Sequence, residues 1–156
     1  MAKLSKGKGA QEIGIDTYKQ IMIAVVHASA VGLGEVLKNY KTEAKRTDLI
    51  RTYVNKIRFY PDKTGYLFVT ASDGLNIALP NPSQWQGKNI YDHRDSHGKY
   101  VIRELSAAAK KGGGFVEYYW TKPGSTGEHK KLGYVEPITG TNYFIGTGVY
   151  IEDRNI

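Results

Sequence analysis

Two stretches of the chain concentrate side chains capable of chemistry. Asp92-His93-Arg94-Asp95-Ser96-His97 gathers two imidazoles and two carboxylates, donors that on paper hold zinc. Arg94 sits in their middle and the spacing matches no familiar zinc site, while Asp95 or Ser96 would also serve as a helix cap, so no metal is expected. The second stretch, Gly114-Phe115-Val116-Glu117-Tyr118-Tyr119-Trp120-Thr121-Lys122-Pro123-Gly124, carries four aromatic rings between Phe115 and Trp120. Catalysis has little to stand on. There is no nucleophile elbow and no phosphate loop, and in Gly146-Thr147-Gly148 small strand residues admit a neighbouring backbone or a ligand. Neither an enzyme nor a cofactor is expected.

Strand side chains alternate, so Phe115, Glu117 and Tyr119 share one face while Val116, Tyr118 and Trp120 share the other. Both faces carry rings. If N-terminal helices cover one face, the segment from Asn81 to Lys111 must cover the second, and a loop packs on a sheet less completely than a helix does. A cavity between loop and sheet is the expected result. Twelve tyrosines against four phenylalanines mean that many rings carry a hydroxyl in need of a partner, either water at a sheet edge or a small polar ligand.

The elements that position these residues follow from period and turn chemistry. Residues about 11 to 40 place Ile13, Tyr18, Ile21, Val25, Val36, Leu37 and Tyr40 on one helical stripe, weakened in its middle by Gly32 and Gly34. A second stripe runs Leu49, Ile50, Tyr53, Val54 and Ile57, with Thr47 or Asp48 placed to cap it. After the turn Tyr60-Pro61-Asp62-Lys63-Thr64-Gly65 the period changes. Strands Tyr66 to Ala71 and Leu75 to Leu79 flank Ser72-Asp73-Gly74, a hairpin signal. Pro80 and Pro82 end the second strand, and a loop to His97 holds Trp85 and Tyr91. Lys99 to Lys111 is helical and stops at Gly112, Gly113 and Gly114. Strands Phe115 to Thr121, Lys131 to Glu136 and Tyr143 to Tyr150, joined by short turns, must be antiparallel neighbours. The expected fold is α+β: a five-stranded antiparallel sheet with a long N-terminal helix on one face and a loop with a short helix over the other. One domain, 1–156, has a helical part at about 11–58 and a sheet part at about 65–151.

Composition narrows the rest. A chain of 156 residues buries a core without crosslinks, and the lack of cysteine excludes disulfides, thiol catalysis and cysteine-ligated metal. The formal charge of +7 is spread over Lys3, Lys6, Lys8, Lys38, Lys41, Lys45, Arg46, Lys110, Lys111, Lys122, Lys130 and Lys131, mostly mixed with acids or at element ends, as on a solvated surface. No apolar run approaches the ~20 residues of a membrane span. The nearest, Ile21 to Val26, is better explained as a helical face, so the chain is expected to be soluble.

At this point the sequence resembles a known family, the single Cache domain (sCache, Cache type 2) of bacterial chemoreceptors and sensor kinases. The matching pieces run in order from about residue 50: Lys63-Thr64-Gly65-Tyr66-Leu67-Phe68-Val69, Asp73-Gly74, Pro80-Asn81-Pro82 with Gln86-Gly87-Lys88-Asn89, and Arg94-Asp95-Ser96-His97-Gly98-Lys99. Gly113-Gly114-Phe115-Val116-Glu117-Tyr118 with Trp120, Lys122-Pro123-Gly124, Lys131-Leu132-Gly133-Tyr134-Val135 and Ile145-Gly146-Thr147-Gly148-Val149-Tyr150-Ile151 follow. The resemblance implies a PAS-like sheet with a long N-terminal helix, a small-molecule ligand such as a short carboxylate, and a periplasmic or extracellular position between two membrane helices. Those membrane segments are absent from this chain, and Glu152-Asp153-Arg154-Asn155-Ile156 reads as the start of a helix toward the second, so an excised sensor or a soluble relative is expected. Where the family commonly has His-Pro, this sequence has Leu79-Pro80.

A carboxylate needs a cation or several donors, because an uncompensated buried charge costs several kcal/mol. Within the matching segments the resemblance implies Lys131 and Arg94 as cations, Tyr66, Tyr118 and Tyr134 as hydroxyl donors, and Phe68, Trp85 and Trp120 as apolar walls. Arg58 is a third cation, and it also reads as an anchor for the second helix. Lys131 has the alternative of an exposed strand-edge lysine, and Arg94 that of a loop salt bridge with Asp92 or Asp95. Alternation puts Lys131 and Tyr134 on opposite faces unless a bulge intervenes. The expected function is a small-ligand sensor for chemotaxis or two-component signalling, without nucleic acid as partner and with a homodimer through the first helix as an option. A competing reading is a single-stranded nucleic-acid binder that stacks bases on exposed rings in a basic groove.

Overall fold

The computed structural model describes residues 13–151; Gln11 and Glu12 of the expected first helix and the expected helical start at Glu152 to Ile156 lie outside them. Helix α1 spans Ile15–Leu37 and buries Tyr18, Met22, Val26, Ser29, Ala30, Leu33, Gly34 and Leu37, a stripe with the three-and-four spacing of one helical face. Gly32 and Gly34 do not break it. Gly32 faces open space, and a Cβ at Gly34 would lie 3.5 Å from the Thr139 carbonyl oxygen, an ordinary contact distance with the turn before the last strand. By length and composition α1 is also long and apolar enough to cross a membrane, which the shorter run Ile21 to Val26 did not suggest. Its buried stripe nevertheless packs on the sheet, and Ile23, Val31 and Val36 remain exposed on its outer face.

Helix α2 spans Glu43–Val54, and Thr42 caps it by accepting a hydrogen bond from the Lys45 backbone N–H at 3.3 Å. It therefore begins before the expected cap at Thr47 or Asp48. The apolar stripe starts only at Leu49, and the first turn is polar, so periodicity alone missed it. The short strands β1 (Phe68–Ala71) and β2 (Asn76–Ala78) form the expected hairpin, with Gly74 at φ 99° in its turn. A chain segment then crosses the sheet, through a single 3-10 turn at Ser83–Trp85 and helix α3 (Val101–Lys110), to reach the opposite edge. Strands β3 (Gly114–Thr121), β4 (Glu128–Pro137) and β5 (Tyr143–Tyr150) complete an antiparallel sheet of order β2-β1-β5-β4-β3. Strand β4 starts three residues earlier than read, because Glu128, His129 and Lys130 pair with Thr121, Trp120 and Tyr119 despite their polarity.

The sheet separates two cores. On one face α1 and α2 pack Val26, Leu33, Leu37, Ile50 and Val54 against Leu67, Val69 and Ile145, while Tyr18 and Met22 meet Leu132 and Val149. On the other, α3 and the crossing loop cover Tyr66, Phe68, Tyr118, Trp120, Phe144 and Tyr150. The two-sided strand resolves differently from expectation on its outer side. Helix α1 packs on β4 and β5, so at the β3 edge Phe115 stays 36% exposed against Tyr134, with Lys19 Nζ 5.5 Å from its ring centre. Tyr119 instead stacks on His97 of the loop at 3.7 Å between ring centres.

Candidate functional site

Lys131 is the centre of the loop-covered face. It stands in the middle of β4, in register with Tyr118 on β3 and Tyr150 on β5, and only 1% of it is exposed. Its ammonium donates to the Tyr66 hydroxyl at 2.9 Å and lies 4.3 Å from the Tyr66 ring centre, 5.1 Å from that of Tyr150, 5.7 Å from Phe68 and 5.9 Å from Tyr118. Ring faces attract a cation, yet none of the ion pairs among the described residues includes Lys131. An ammonium has three donors, and the charge is desolvated without a carboxylate beside it.

The surrounding hydroxyls are arranged as neutral donors. Tyr66 O–H donates to the Asn81 carbonyl at 3.1 Å, and Trp120 Nε1–H donates to the same oxygen at 3.0 Å. Asn81 Nδ2 and Tyr150 O–H both donate to the Thr121 carbonyl, at 2.8 and 2.6 Å. Burial, with Tyr66 adjacent, pushes the Tyr118 and Tyr150 phenols well above their ordinary range, so both keep their protons. A chamber beside Lys131 is lined by Phe68, Thr70, Asn76, Leu79, Tyr118 and Trp120 from the sheet side and by Val101, Ile102 and Leu105 of α3. Its free volume is about 10 Å³ measured to the centres of water-sized spheres, which is room for roughly one water. Among the described residues, Lys131 is the only charged one in that lining.

The structure brings Tyr66, Phe68, Tyr118, Trp120 and Lys131 together. Trp85 belongs to the same cluster one layer out, edge-on to Trp120 at 5.4 Å and packed on His93 at 4.7 Å. Tyr134 does not join them. Strand β4 pairs with β5 without a bulge from Lys131 to Pro137, so the odd spacing sends Tyr134 to the helix face, where its hydroxyl donates to Glu136 at 3.0 Å and burial together with Glu136 raises its pKa to about 12. Arg94 is likewise outside the chamber, exposed on the loop with its guanidinium 4.4 Å from the Tyr100 ring centre and bonded to the Tyr100 hydroxyl. Neither proposed salt bridge forms, because Asp92 pairs with Arg103 and Asp95 with backbone. Arg58 anchors the end of α2 through the Asn55 and Ile57 carbonyls, at 3.2 and 2.7 Å. Residues that sequence reasoning missed are Thr70, Asn76, Asn81, Tyr150 and the α3 side chains. The apolar spacing of α3 was visible, but which face meets the chamber depends on tertiary placement.

Asp95 of the His/Asp stretch ties down the loop and caps no helix. Asp95 is buried and accepts from the backbone N–H groups of His97, Lys99 and Tyr119 at 2.9, 3.0 and 3.0 Å, tying the loop to β3, and Tyr100 rather than Asp95 or Ser96 precedes α3. Burial raises the Asp95 pKa, but the three backbone donors outweigh it and hold the carboxyl below its ordinary 3.8. A depressed carboxyl adds stability above its unfolded value, and that stability is lost as pH falls through the folded value. Asp95→Ala is therefore expected to lower stability by about 1–3 kcal/mol at pH 7, with the difference from the parent shrinking below pH 3.8. Thermal unfolding as a function of pH checks this.

With this geometry in place, likeness to known proteins is specific. A family model described as a Cache domain matches residues 12–155. The sensor histidine kinase MctS of Rhizobium johnstonii is 35% identical over 147 residues, which cover 89% of this chain and 32% of that protein. The methyl-accepting chemotaxis protein McpP of Pseudomonas putida is 36% identical over 93 residues, 59% of this chain and 17% of that protein. The chain thus spans about a third or less of the length of these relatives. A methyl-accepting chemotaxis protein from Vibrio parahaemolyticus superposes with a TM-score of 0.76 at 31% identity, covering 89% of this chain and 92% of that one. A Cache chemosensory domain solved for the structural basis of its carboxylic acid recognition gives 0.75 at 25%, covering 90% and 100%. The family model covers nearly the whole of the described chain and the fold superposes on these solved sensory domains, and the chain belongs to the Cache family of sensory domains found in chemoreceptors and sensor kinases.

Proposed function

We propose that this chain is the extracytoplasmic sensing part of a chemoreceptor or sensor kinase, and that it takes a short organic acid in the chamber under α3, with the carboxylate on Lys131. The observation that carries the reading is the Lys131 ammonium, desolvated and bonded to a single hydroxyl, with no acidic residue in the chamber lining. An anion placed there forms charge-assisted hydrogen bonds with the remaining ammonium donors and the Tyr118 hydroxyl, the Tyr66 and Tyr150 hydroxyls being spent on backbone carbonyls. The apolar side chains of Leu79, Val101, Ile102 and Leu105 suit a short carbon chain. Relatives that are sensor kinase and chemotaxis proteins support the receptor context, as does carboxylic acid recognition by a domain of the same fold.

A chamber with room for one water cannot hold even acetate without moving a wall. Ligand binding therefore favours conformations in which α3 and the crossing loop stand further from the sheet, and it shifts the population by its preference for them. Helix α1 lies on the opposite face of β4 and β5, so displacement of those strands is what it can sense. Stacking of bases on the sheet is not favoured, because Tyr118 and Trp120 are 3% and 4% exposed. The test is thermal shift and calorimetry with acetate, propionate, pyruvate, lactate, dicarboxylates, amino acids and purines. Short carboxylates are expected to raise Tm by several degrees, following mass action at about 100-fold excess over Kd. Indifference to every organic anion, or a response to purines alone, contradicts the reading.

A further inference from the structure

Three glycines on the ligand face stand where a Cβ would collide with a wall of the chamber. At Gly148 it would lie 2.4 Å from Lys131 Cε and 2.8 Å from the Leu132 carbonyl oxygen; at Gly133, 2.7 Å from Tyr118 Cε1; at Gly146, 2.6 Å from Phe68 Cζ. None of the three has a positive φ, so what they supply is space and not an unusual dihedral. The register explains the arrangement. Gly133 and Gly148 are direct partners on β4 and β5, one row along from the Tyr118, Lys131 and Tyr150 row. They leave a trough across the sheet, and the neighbouring side chains lie down in it: Tyr118 over Gly133, Lys131 over Gly148. A lysine without that trough would stand away from the sheet, whereas lying over Gly148 it brings its ammonium to the Tyr66 hydroxyl.

We infer that Gly148 is a positioning residue for the anion-binding ammonium, and Gly133 for the Tyr118 ring, so that the trough sets where in the chamber the charge sits. This rests on the reading of Lys131 as the counter-ion of the ligand. The test compares Gly148→Ala with Gly32→Ala, whose Cβ meets nothing within 4 Å, by calorimetry with propionate. Gly148→Ala is expected to lose affinity at least about ten-fold at a temperature where it stays folded, while Gly32→Ala binds as the parent does. A stability cycle with Lys131→Ala supplies the ligand-independent arm. Gly148→Ala lowers Tm by about 6 °C in the parent and by measurably less once the lysine stem is gone, the contact with the Leu132 carbonyl oxygen costing the same in both backgrounds. Should Gly148→Ala fail to fold alone, recovery of folding in the double variant supports the same contact. Equal Tm losses in both backgrounds, or parental affinity in Gly148→Ala, overturn the inference. If the parent binds no acid, the ligand reading fails, and the stability cycle alone decides whether Gly148 seats Lys131.

Discussion

Lys131→Met is expected to abolish binding of short carboxylates, a loss of at least about 100-fold or roughly 2.7 kcal/mol, while the unliganded domain melts as high as the parent or higher. The two halves have one cause. A desolvated ammonium without an acidic partner carries a penalty that its hydroxyl bond and the surrounding rings offset only in part, and an apolar side chain of similar length fills the same space without it. The gain is about 1–2 kcal/mol, or about 2–8 °C in Tm for a chain of this size. Calorimetry and thermal unfolding on the same two samples check both halves. Retained affinity shows that the charge is not the anchor, and a marked fall in Tm shows that the lysine belongs to the fold rather than to the ligand.

Leu105→Ala should have the larger effect on the fold and a distinct one on the ligand. Leu105 is 1% exposed and forms part of the α3 wall of the chamber. Its truncation costs about 2–5 kcal/mol, lowering Tm by about 5–15 °C. The vacated space opens onto the chamber, so acids with longer chains gain on acetate by about four-fold for each methylene that the enlarged wall buries, near 0.8 kcal/mol. Affinities of acetate, propionate and butyrate for parent and variant measure the shift. An unchanged order of preference places the ligand away from α3.

How far the sequence revealed this design depended on which signals are local. The hairpin at Ser72-Asp73-Gly74, the glycine stop of α3 and the strands β3 and β5 are written in turn residues and period, and they stand within a residue or so of expectation. The polar starts of α2 and β4 are not periodic, and both were placed too late. Face parity was legible as well: Tyr134 stands three positions after Lys131, and with no bulge they part to opposite sides. Arg94 shows the limit. Its charge suited a carboxylate, but whether a loop residue points inward depends on what holds the loop, here Asp95 fastened to the β3 backbone and Tyr100 beneath the guanidinium. On the aromatic strand, alternation puts Tyr118 and Trp120 beneath α3 and the loop as expected, but the cavity expected there is closed to room for roughly one water because α3 packs into it; on the outer side nothing local reveals that α1 covers β4 and β5 but stops short of β3. Leu79 was noticed as an apolar residue in a position where a polar one is common, and it lines the chamber, leaving Lys131 as the sole charge there.

The account turns on where the carboxylate sits. A crystal structure of the domain with whichever short acid raises its Tm most is the direct measurement. The expected result is a carboxylate oxygen within about 3 Å of Lys131 Nζ, with α3 and the crossing loop moved outward from the sheet to make room. An acid bound elsewhere, such as the groove between α1 and the β4–β5 turn lined by His27, Lys38 and Glu136, with Lys131 still bonded to Tyr66 alone, would contradict it.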